Sequence, residues 1–280
     1  MAKEDTTRLG WDNATLIARK DLTKDSAIFR IEADDPLFEF LAGQYTTIGL
    51  PKDAPRIKGA DPDENGDGGA NGHRRTLIVR AYSIASPSKT RDYVDLYVTL
   101  VNSGALTPRL WMLQPGERLW LGSNAKGLFT FKDIPANCDV VLIGTGTGLA
   151  PYISMINDHH QCNIGRRFVV IHGARYERDL GYRDELEALQ RECRTMVYVP
   201  TVSRPREDSL WPGHIGRVQS VIADGTLENA LGGAFSPKTT HVFISGNPEM
   251  VEDMEAEFKD QGFAVHSTRS PGTLHIERYW

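Results

Sequence analysis

The sequence predicts two domains, an antiparallel β-barrel followed by an α/β domain built on a parallel sheet. The chain has 280 residues, enough for two cores, although one large domain would also fit this length. From Ala14 to about Leu121 the apolar residues form short β-rich runs bounded by Gly, Pro and Asp, which is typical of a barrel or sandwich. After Asp139 continuous Val and Ile runs alternate with helix-like segments, which is typical of βαβ units. We therefore assign residues 1–134 to the barrel and 135–280 to the α/β domain.

Six short runs are predicted to form the barrel strands: 14–19, 27–33, 44–50, 76–86, 93–101 and 118–122. A short helix is predicted from about Leu106 to Leu113. Residues 51–75 contain almost no large apolar side chains and many Gly, Asp and Pro residues, which predicts a mobile surface insertion. Long segments of this kind are either plain loops or functional lids, and the sequence leaves both readings open.

The second domain is predicted to alternate strands and helices. The predicted strands are 139–144, 167–174, 195–203, 241–247 and 263–269. The predicted helices are 150–160, 183–193 and 248–260.

Composition limits the classes of partner. The chain has 32 Lys and Arg against 37 Asp and Glu, a net charge of −5, which gives no reason to expect nucleic acid or an anionic membrane as partner. The three cysteines are widely separated and form no CxxC motif, so we expect no metal or iron–sulfur site and favour a reducing compartment. The N-terminus is polar and no run approaches the ~18 apolar residues of a spanning helix. We expect a cytoplasmic protein without a membrane segment.

A glycine-rich loop follows the first strand of the second domain. Gly144, Gly146 and Gly148 stand between an apolar run and a predicted helix whose first turn contains Pro151. Glycines let a ligand approach the backbone, and the unpaired amides of a helix start favour an anion. The spacing is not GxGxxG, and the loop fits either a pyrophosphate cradle or a simple tight turn.

Arginines follow the next strands where a ribose-binding carboxylate would otherwise be expected. Arg175 and Arg178 come after the second strand of the domain, while Arg204 and Arg217 follow the third. A guanidinium pairs with a 2′-phosphate that a carboxylate would repel, so these residues favour NADP over NAD. Solvated surface charge is the alternative interpretation.

The predicted strand 76–86 carries a second candidate site. Arg80 and Tyr82 share one face of the strand and Ser83 takes the other. A charge, a flat aromatic ring and a hydroxyl suit a ligand with a phosphate, a planar ring and polar ring edges. The same residues also fit an ordinary half-exposed strand.

Together these motifs resemble the ferredoxin–NADP⁺ reductase family. They are RAYS at 80–83, GALT at 104–107, GTGTGLAPY at 144–152, ISGNPEM at 244–250 and an aromatic C-terminus. The resemblance is strongest to the bacterial flavodoxin/ferredoxin reductases, which share HxARYxxDLxY, VSR and a final YW. It extends from about Ala14 to Trp280, apart from 51–75.

The resemblance implies that the barrel binds FAD tightly. Arg80 would hold the pyrophosphate, Tyr82 would lie along the flavin, and Ser83 would hydrogen-bond near flavin N5. The helix start at Leu106 and Thr107 would supply amides and a hydroxyl to the pyrophosphate. The implied FAD-binding residues are Arg80, Ala81, Tyr82, Ser83, Tyr97, Val98, Thr99, Leu106, Thr107, Thr147 and Trp280.

The resemblance also implies that the second domain binds NADP(H) as a substrate. The arginines after its strands would bind the adenosine 2′-phosphate, and Thr147 would face the nicotinamide and pyrophosphate. The implied NADP-binding residues are Thr147, Ala174, Arg175, Ser203, Arg204, Arg217, Asn247 and Pro248.

Three residues are implied to be catalytic: Ser83, Ser245 and Glu277. Many family members have Cys-Gly where this chain has Ser245-Gly246. Serine can position the nicotinamide by a hydrogen bond, so we expect activity with an altered rate or affinity, unless Ser245 simply ends its strand. Glu277 would serve in proton relay. Trp280 would stack on the FAD adenine, with Tyr279 as the second candidate.

The implied activity is hydride transfer between NADP(H) and FAD, with single electrons exchanged with ferredoxin or flavodoxin. The carrier would be a separate protein, because the chain lacks the cysteines for its own iron–sulfur centre. Such carriers are acidic, so we expect a local basic patch near the flavin edge, and we expect a monomer. A reductase of free flavin, quinone or another acceptor is the main alternative. A nucleotide-sensing module without turnover is the other.

Overall fold

The computed structural model describes residues 10–62, 76–162, 165–206 and 210–278. The chain divides into two compact units, Met1–Gly127 and Leu128–Trp280. The boundary predicted from the sequence lies later, after residue 134. Phe129 and Phe131 make edge-on contacts with Phe243, at ring-centroid distances of 5.1 and 5.0 Å, which explains why the segment from Leu128 belongs to the second unit.

The first unit is an antiparallel barrel. Its strands are β1 (Ala14–Thr23), β2 (Ser26–Ala33), β3 (Tyr45–Pro51), β4 (Leu77–Ser83), β5 (Val94–Thr99) and β6 (Arg118–Leu121). They form a sheet in the order β4-β3-β6-β1-β2-β5. The two outer strands meet just after β4, where Ile84 pairs with Leu96, and this contact closes the sheet.

The barrel core forms because alternate residues of each strand face inward. Leu16, Phe29, Ile48 and Leu96 are fully buried members of this core. The helix α1 (Thr107–Leu110) is shorter than predicted. The backbone bonds that follow it, from Met112 and Leu113, reach back three residues rather than four, so the α-helix ends in tighter turns.

The start of the predicted mobile insertion 51–75 is anchored to the barrel. The Ile57 amide donates to Pro108 O at 3.0 Å, and the Asp61 amide donates to Asn102 O at 3.1 Å. Arg56 Nη2 lies 2.7 Å from Asp61 O and 3.4 Å from Asn102 O. These bonds hold residues 51–62 against the barrel, and mobility of the insertion stays a prediction because 63–75 lie outside the described residues.

The second unit is an α/β domain with a fully parallel sheet. Its elements are β7 (Asp139–Thr145), α2 (Ala150–His159), β8 (Phe168–Ala174), α3 (Arg183–Glu192), β9 (Met196–Val202), β10 (His214–Ile215), α4 (Val218–Ala223), α5 (Thr226–Leu231), β11 (Thr240–Gly246), α6 (Pro248–Asp260) and β12 (Leu274–Arg278). The strand order is β10-β9-β8-β7-β11-β12, and every pair is parallel. The predicted fold class, an antiparallel barrel followed by an α/β domain, is confirmed.

The two faces of this sheet are covered by different elements. Val141, Val169 and Val242 face α4, α5 and α6 in one hydrophobic core. On the other face, Phe243 packs against Phe129 and Phe131, and Tyr152 of α2 is fully buried. Because both faces are covered, the central strands read as continuous apolar runs.

The last strand of the sheet differs from the prediction. Residues 263–269 are not a strand: Val265 makes only an isolated bridge to Leu274, and a turn follows in which the Ser270 amide donates to Ser267 O at 3.3 Å. The tail segment β12 pairs with β11 instead. The short helices α4 and α5 were not predicted. No helix among the described residues has both the length and the apolar character needed to cross a bilayer.

Two of the three cysteines are joined in the fold. Cys162 and Cys193 form a disulfide with their Cα atoms 5.4 Å apart, and Cys138 is free and buried. The two residues are 31 positions apart, so their spacing along the chain does not report this proximity. Cys162 follows α2, whereas Cys193 follows α3.

Candidate functional site

The glycine loop lies at the topological switch point of the parallel sheet. From β7 the chain continues to β8 and β9 on one side, then returns to β11 and β12 on the other. Helices that leave neighbouring strand ends in opposite directions open a crevice at the carboxyl ends of those strands, where ligands bind in folds of this kind. Here the two strand ends are Thr145 of β7 and Gly246 of β11.

The two strand ends approach so closely that glycine is required. A Cβ added to Gly148 would lie 2.5 Å from Ser245 O, and one added to Gly246 would collide with Thr145 Oγ1. Gly246 also has φ +135, and Gly146 has φ +55, both in the region that favours glycine. The glycines therefore let two backbone segments line one crevice, which the sequence analysis did not foresee.

Hydrogen bonds fix the two strand ends to each other. The Asn247 amide donates to Thr145 Oγ1 at 3.0 Å, and Asn247 Oδ1 caps α6 by accepting from the Met250 amide at 3.2 Å. The Tyr152 hydroxyl of α2 lies 2.8 Å from Ile143 O and 3.0 Å from Phe243 O of β11. From the sequence, Tyr152 is recognised only as part of a motif, and its role in joining the strands is missed.

Two predicted catalytic residues are neighbours at this edge. Ser245 pairs in register with Glu277 on β12. Ser245 is fully buried, and its Oγ has no hydrogen-bond partner among the described residues. Burying a hydroxyl without a hydrogen-bond partner costs free energy unless a ligand supplies the partner. The Ser245 hydroxyl is therefore suited to hydrogen-bond a bound ligand. Thr147 is half-buried in the 3₁₀ turn between β7 and α2, and its carbonyl accepts from the Ala150 amide.

Three predicted arginines lie at one corner of the same edge. The Arg204 amide donates to Arg175 O at 2.9 Å, and the Gly216 amide donates to Val202 O at 2.9 Å, which brings the turn with Arg217 alongside. All three arginines are exposed, and none forms an ion pair with a carboxylate of the described chain. Unpaired guanidinium groups at adjacent strand ends suit a multiply charged anion.

Polar side chains behind this corner hold the turn that carries the third arginine. Thr201 Oγ1 donates to Gly216 O at 2.8 Å and lies 3.0 Å from His214 Nδ1. His214 Nε2 lies 2.7 Å from Asp224 Oδ2. Hydrogen bonds from Thr226 and His214 hold the pKa of Asp224 at about 2. No motif in the sequence indicated these residues.

The other predicted residues of this corner lie beside the arginines. Ser203 is exposed, and its backbone amide is held by a hydrogen bond to Ala174 O at 3.0 Å. Ala174 is half-buried and packs on a small core that contains Trp211. Pro248 begins α6 immediately after Asn247. The described structure thus gathers all eight residues predicted for the nucleotide at one edge of one sheet.

In the barrel unit, the predicted site lies on the outer strand β4. Its register with β3 puts Arg80 opposite Ile48 and Tyr82 opposite Thr46. Arg80 and Ala81 are exposed, Tyr82 packs against the barrel core, and Ser83 is buried. Burial raises the pKa of Tyr82, and the Arg80 charge opposes this more weakly. The phenol therefore stays neutral. Arg80 Nη1 donates to Val79 O at 2.8 Å, and the exposed guanidinium keeps further N–H donors for an anion.

Strand β5 contributes an edge beyond the contact that closes the barrel. Tyr97, Val98 and Thr99 follow Leu96 and have β2 as their only strand neighbour in the described structure. Val98 belongs to the barrel core, and Thr99 is exposed. The side chain of Val98 therefore packs inside the barrel, and only its backbone could contact a ligand.

The turn before α1 is closed by its own hydrogen bonds. Thr107 Oγ1 donates to Val101 O and accepts from the Val101 amide, each at 3.0 Å. The hydroxyl of Thr107 is thus engaged inside the loop, and Leu106 is buried. The expected contact between the Thr107 hydroxyl and a ligand would require both hydrogen bonds to Val101 to break. The backbone amides are therefore the groups that this turn can offer to a ligand. The predicted aromatic residues Tyr279 and Trp280 lie outside the described residues.

The chain is similar to several characterised reductases. A profile described as the oxidoreductase NAD-binding domain matches residues 142–256. Ferredoxin–NADP reductase B of Sorangium cellulosum is 34% identical over 247 residues, which cover 88% of each chain. The flavodoxin/ferredoxin–NADP reductase of Escherichia coli is 29% identical over 256 residues, which cover 91% of this chain and 93% of that one.

A solved structure supports the same likeness. A ferredoxin NADP⁺ reductase from Neisseria gonorrhoeae with bound FAD and NADP superposes with a TM-score of 0.76 at 25% identity. The alignment covers 96% of this chain and 98% of that chain. The resemblance found in the sequence motifs is thereby confirmed over nearly the whole length.

Proposed function

The chain belongs to the ferredoxin–NADP⁺ reductase family, and we propose that it transfers a hydride between NADP(H) and FAD and exchanges single electrons with a separate ferredoxin or flavodoxin. The observation that carries this proposal is the pairing of two sites in one chain. One is a switch-point crevice flanked by three exposed arginines, and the other is an outer barrel strand with Arg80, Tyr82 and Ser83.

The parallel-sheet unit would hold NADP(H) across the carboxyl edge of its strands. Arg175, Arg204 and Arg217 would surround the 2′-phosphate, since no carboxylate of the described chain neutralises them. The amides around Thr147 at the start of α2 would face the pyrophosphate. The same argument predicts preference for NADPH over NADH, because NADH lacks the group that three guanidinium charges would bind.

The nicotinamide end of this site would lie beside Ser245 and Glu277. The unpartnered Ser245 Oγ would donate its proton to the nicotinamide carboxamide and orient the ring. Glu277, its neighbour in register, would hold or pass a proton at its carboxylate. Asn247 and Pro248 would close the crevice from the start of α6.

The barrel unit would hold FAD through β4, β5 and the turn before α1. FAD, when bound, supplies a ring that accepts a hydride and releases its electrons one at a time. Arg80 would bind the pyrophosphate, Tyr82 would pack along the ring, and Ser83 would hydrogen-bond at its reactive edge. The free edge of β5 would border the ring through the backbone of Tyr97 to Thr99, and the Leu106 and Thr107 amides would face the phosphates.

The docking surface for the acidic carrier would lie on the loop that joins β4 to β5. Both strands border the proposed flavin site, and the loop between them exposes Lys89 and Arg91. Among the described residues, Arg91 forms one ion pair, a 3.4 Å contact with the exposed Glu39, so its charge is largely available. Changing both residues to Glu should slow ferredoxin turnover at low salt and leave NADPH oxidation with ferricyanide unchanged. Equal ferredoxin rates in the two proteins would rule out this surface.

The proposed reaction is tested by comparing electron acceptors. We expect the purified holoprotein to reduce ferredoxin or flavodoxin with NADPH at a higher kcat/KM than free flavin or quinones. A preference for free flavin or quinone would assign the chain to the alternative reductase activity. A protein that binds NADPH but reduces no acceptor would indicate a sensing module.

We also propose that the chain works in the cytoplasm as a monomer. NADP(H) and small electron carriers are available there, and one chain carries both proposed nucleotide sites. Light scattering of the holoprotein at micromolar concentration should give the mass of a single chain, 31.2 kDa before cofactor. A mass near twice that value would contradict this part of the proposal.

A further inference from the structure

A second group of reactive side chains lies away from the proposed nucleotide sites. His160, Cys162 and Cys193 each offer one ligand atom, and these atoms all lie within 4.8 Å of one another. The two sulfur atoms are joined in a disulfide. Nothing in the proposed reductase chemistry uses these three residues.

The position of this group in the fold separates it from the NADP edge. Cys162 and Cys193 follow the C-terminal ends of α2 and α3, whose helices run back from the carboxyl edge of the sheet. The Phe168 amide that begins β8 donates to Thr195 O at 2.8 Å, so the group lies at the amino edge of the strands. A ligand bound there would not occupy the switch-point crevice.

The imidazole of His160 is held in place and has an unused nitrogen. Its ring packs edge-on against Phe168 at a centroid distance of 5.3 Å, which fixes its plane. Its Nε2 is buried and has no hydrogen-bond partner among the described residues. Beside it, Cys193 Sγ lies 3.3 Å from Thr195 Oγ1, a neighbour that can stabilise a thiolate by donating a hydrogen bond.

We propose that His160, Cys162 and Cys193 form a redox-gated binding site for a zinc-class cation. Two thiolates and one imidazole are the ligand set that a borderline-soft divalent cation prefers, with a fourth position left for water. The exposed side of the site is Cys162, which gives the cation a path of entry. In the disulfide form both sulfur ligands are consumed, and the site is closed to the metal.

The opening of the site is a balanced thiol–disulfide exchange. A dithiol reductant attacks the Cys162–Cys193 bond, is itself oxidised to a disulfide, and leaves two cysteine thiols. The cation then displaces the two thiol protons and accepts the imidazole lone pair of neutral His160. Metal affinity should therefore appear on reduction of the disulfide and vanish on reoxidation.

Metal binding is measured on the flavin-loaded chain by equilibrium dialysis against Zn²⁺ followed by elemental analysis. After treatment with a dithiol and its removal without oxygen, we expect about one Zn²⁺ per chain at micromolar free metal. The oxidised protein should retain less than about one-tenth as much. Stoichiometric binding by the oxidised protein, or no binding by the reduced protein, would overturn the proposal.

Variants identify the ligands. Cys162→Ser and Cys193→Ser should each weaken Zn²⁺ binding at least about 100-fold, and His160→Asn about 10-fold, with NADPH oxidation unchanged in all three. The matched control is Cys138→Ser, which removes the free buried cysteine and should leave binding unchanged. Should the cysteine variants fail to fold, His160→Asn retains the disulfide and still tests the site. Undiminished Zn²⁺ binding by reduced His160→Asn and by either cysteine variant would assign the metal to other residues.

Discussion

In the barrel unit the turn before α1 is held in place by guanidinium groups, whereas in the parallel-sheet unit the crevice is flanked by arginines that form no ion pair with a carboxylate of the described chain. Arg56 contacts the carbonyls of Asn102 and Gly104, and buried Arg109 donates to Ala105 O at 2.6 Å. At the sheet edge, by contrast, the backbone is fixed by strand contacts and the positive charges face solvent. The turn before α1 is thus organised before its ligand arrives, while the arginines of the sheet edge await a charged ligand.

This difference suits a retained cofactor in one unit and an exchanging substrate in the other. A preformed site loses little conformational entropy on binding, which favours slow release. Exposed arginines bind a phosphate strongly but are screened by salt, which favours rapid exchange. Substitutions in the barrel should therefore change FAD retention, and substitutions at the sheet edge should change NADPH kinetics.

The largest effect is expected at the close contact between strand ends in the sheet unit. Gly148→Ala would put a methyl group 2.5 Å from the Ser245 carbonyl, so the loop must move. We expect kcat/KM for NADPH to fall about 100-fold or more, because small displacements of a reacting group are costly. The flavin spectrum should be unchanged. Gly262→Asn is the control, since that glycine has φ +88 and nothing within 4 Å of an added Cβ. Normal NADPH kinetics in Gly148→Ala would contradict the crevice assignment.

The arginine corner should give the next largest effect. Arg204→Ala should raise KM for NADPH about 30-fold and leave KM for NADH nearly unchanged, because a charge-assisted phosphate contact is lost. Steady-state kinetics at two salt concentrations should show the wild-type advantage shrinking at high salt. Arg269→Ala removes an exposed arginine elsewhere in the unit and serves as the control. Parallel losses with both nucleotides would exclude a 2′-phosphate role.

Lowering the pH should destabilise the parallel-sheet unit more than the barrel unit. Burial lowers the pKa of His172 to about 3, and burial with neighbouring charges lowers those of His241 and His275 to about 4 and about 3. The unfolded chain binds these protons at an ordinary pKa near 6.5, so stability is lost as pH falls below that value. For buried His172 alone, this is about 2 kcal/mol between pH 7 and pH 5.

Hydrogen exchange measured at pH 7 and at pH 5 shows which unit loses stability in acid. Every histidine of the described chain lies in the second unit, so peptides of β8, β11 and β12 should exchange faster at pH 5 while those of β2 and β5 change little. His172→Phe should reduce the pH dependence, since its Nδ1 bonds only the Tyr198 hydroxyl at 3.0 Å among described groups. Equal loosening of both units would contradict this assignment.

The smallest effect is expected from the turn of the barrel site. Arg56→Ala should raise the dissociation constant for FAD about 10-fold, because the loop loses its bonds to Arg56 and becomes more mobile. KM for NADPH should stay within twofold. Lys24→Ala, which removes an exposed ion pair with Asp25 in the turn between β1 and β2, is the control. If the two variants retain FAD equally, the anchored segment 51–62 does not support the cofactor site.

The strands and the two-unit architecture could be predicted because each depends on a local pattern. Short alternating runs gave the barrel, and continuous Val and Ile runs gave the buried parallel strands. The last strand could not be predicted in this way. Both 263–269 and β12 carry apolar residues at strand spacing, and only the tertiary pairing of Leu274 and Ile276 with β11 decides between them. The helices α4 and α5 have six residues each, too few to show a clear period.

The candidate sites were predictable where residues follow strand ends and not where they depend on contacts. Arg175 and Arg204 were found because parallel strands bring their carboxyl ends to one edge. The internal hydrogen bonds of Thr107 and the approach of Gly148 to Ser245 depend on how distant segments pack. A disulfide across 31 residues is likewise invisible to spacing.

The most direct test of the whole account is the absorbance of the purified protein during an anaerobic titration with NADPH and then with NADH. The purified protein should carry a bound flavin whose visible band bleaches at a far lower concentration of NADPH than of NADH. A colourless protein would contradict the barrel site, and equal potency of the two nucleotides would contradict the arginine corner.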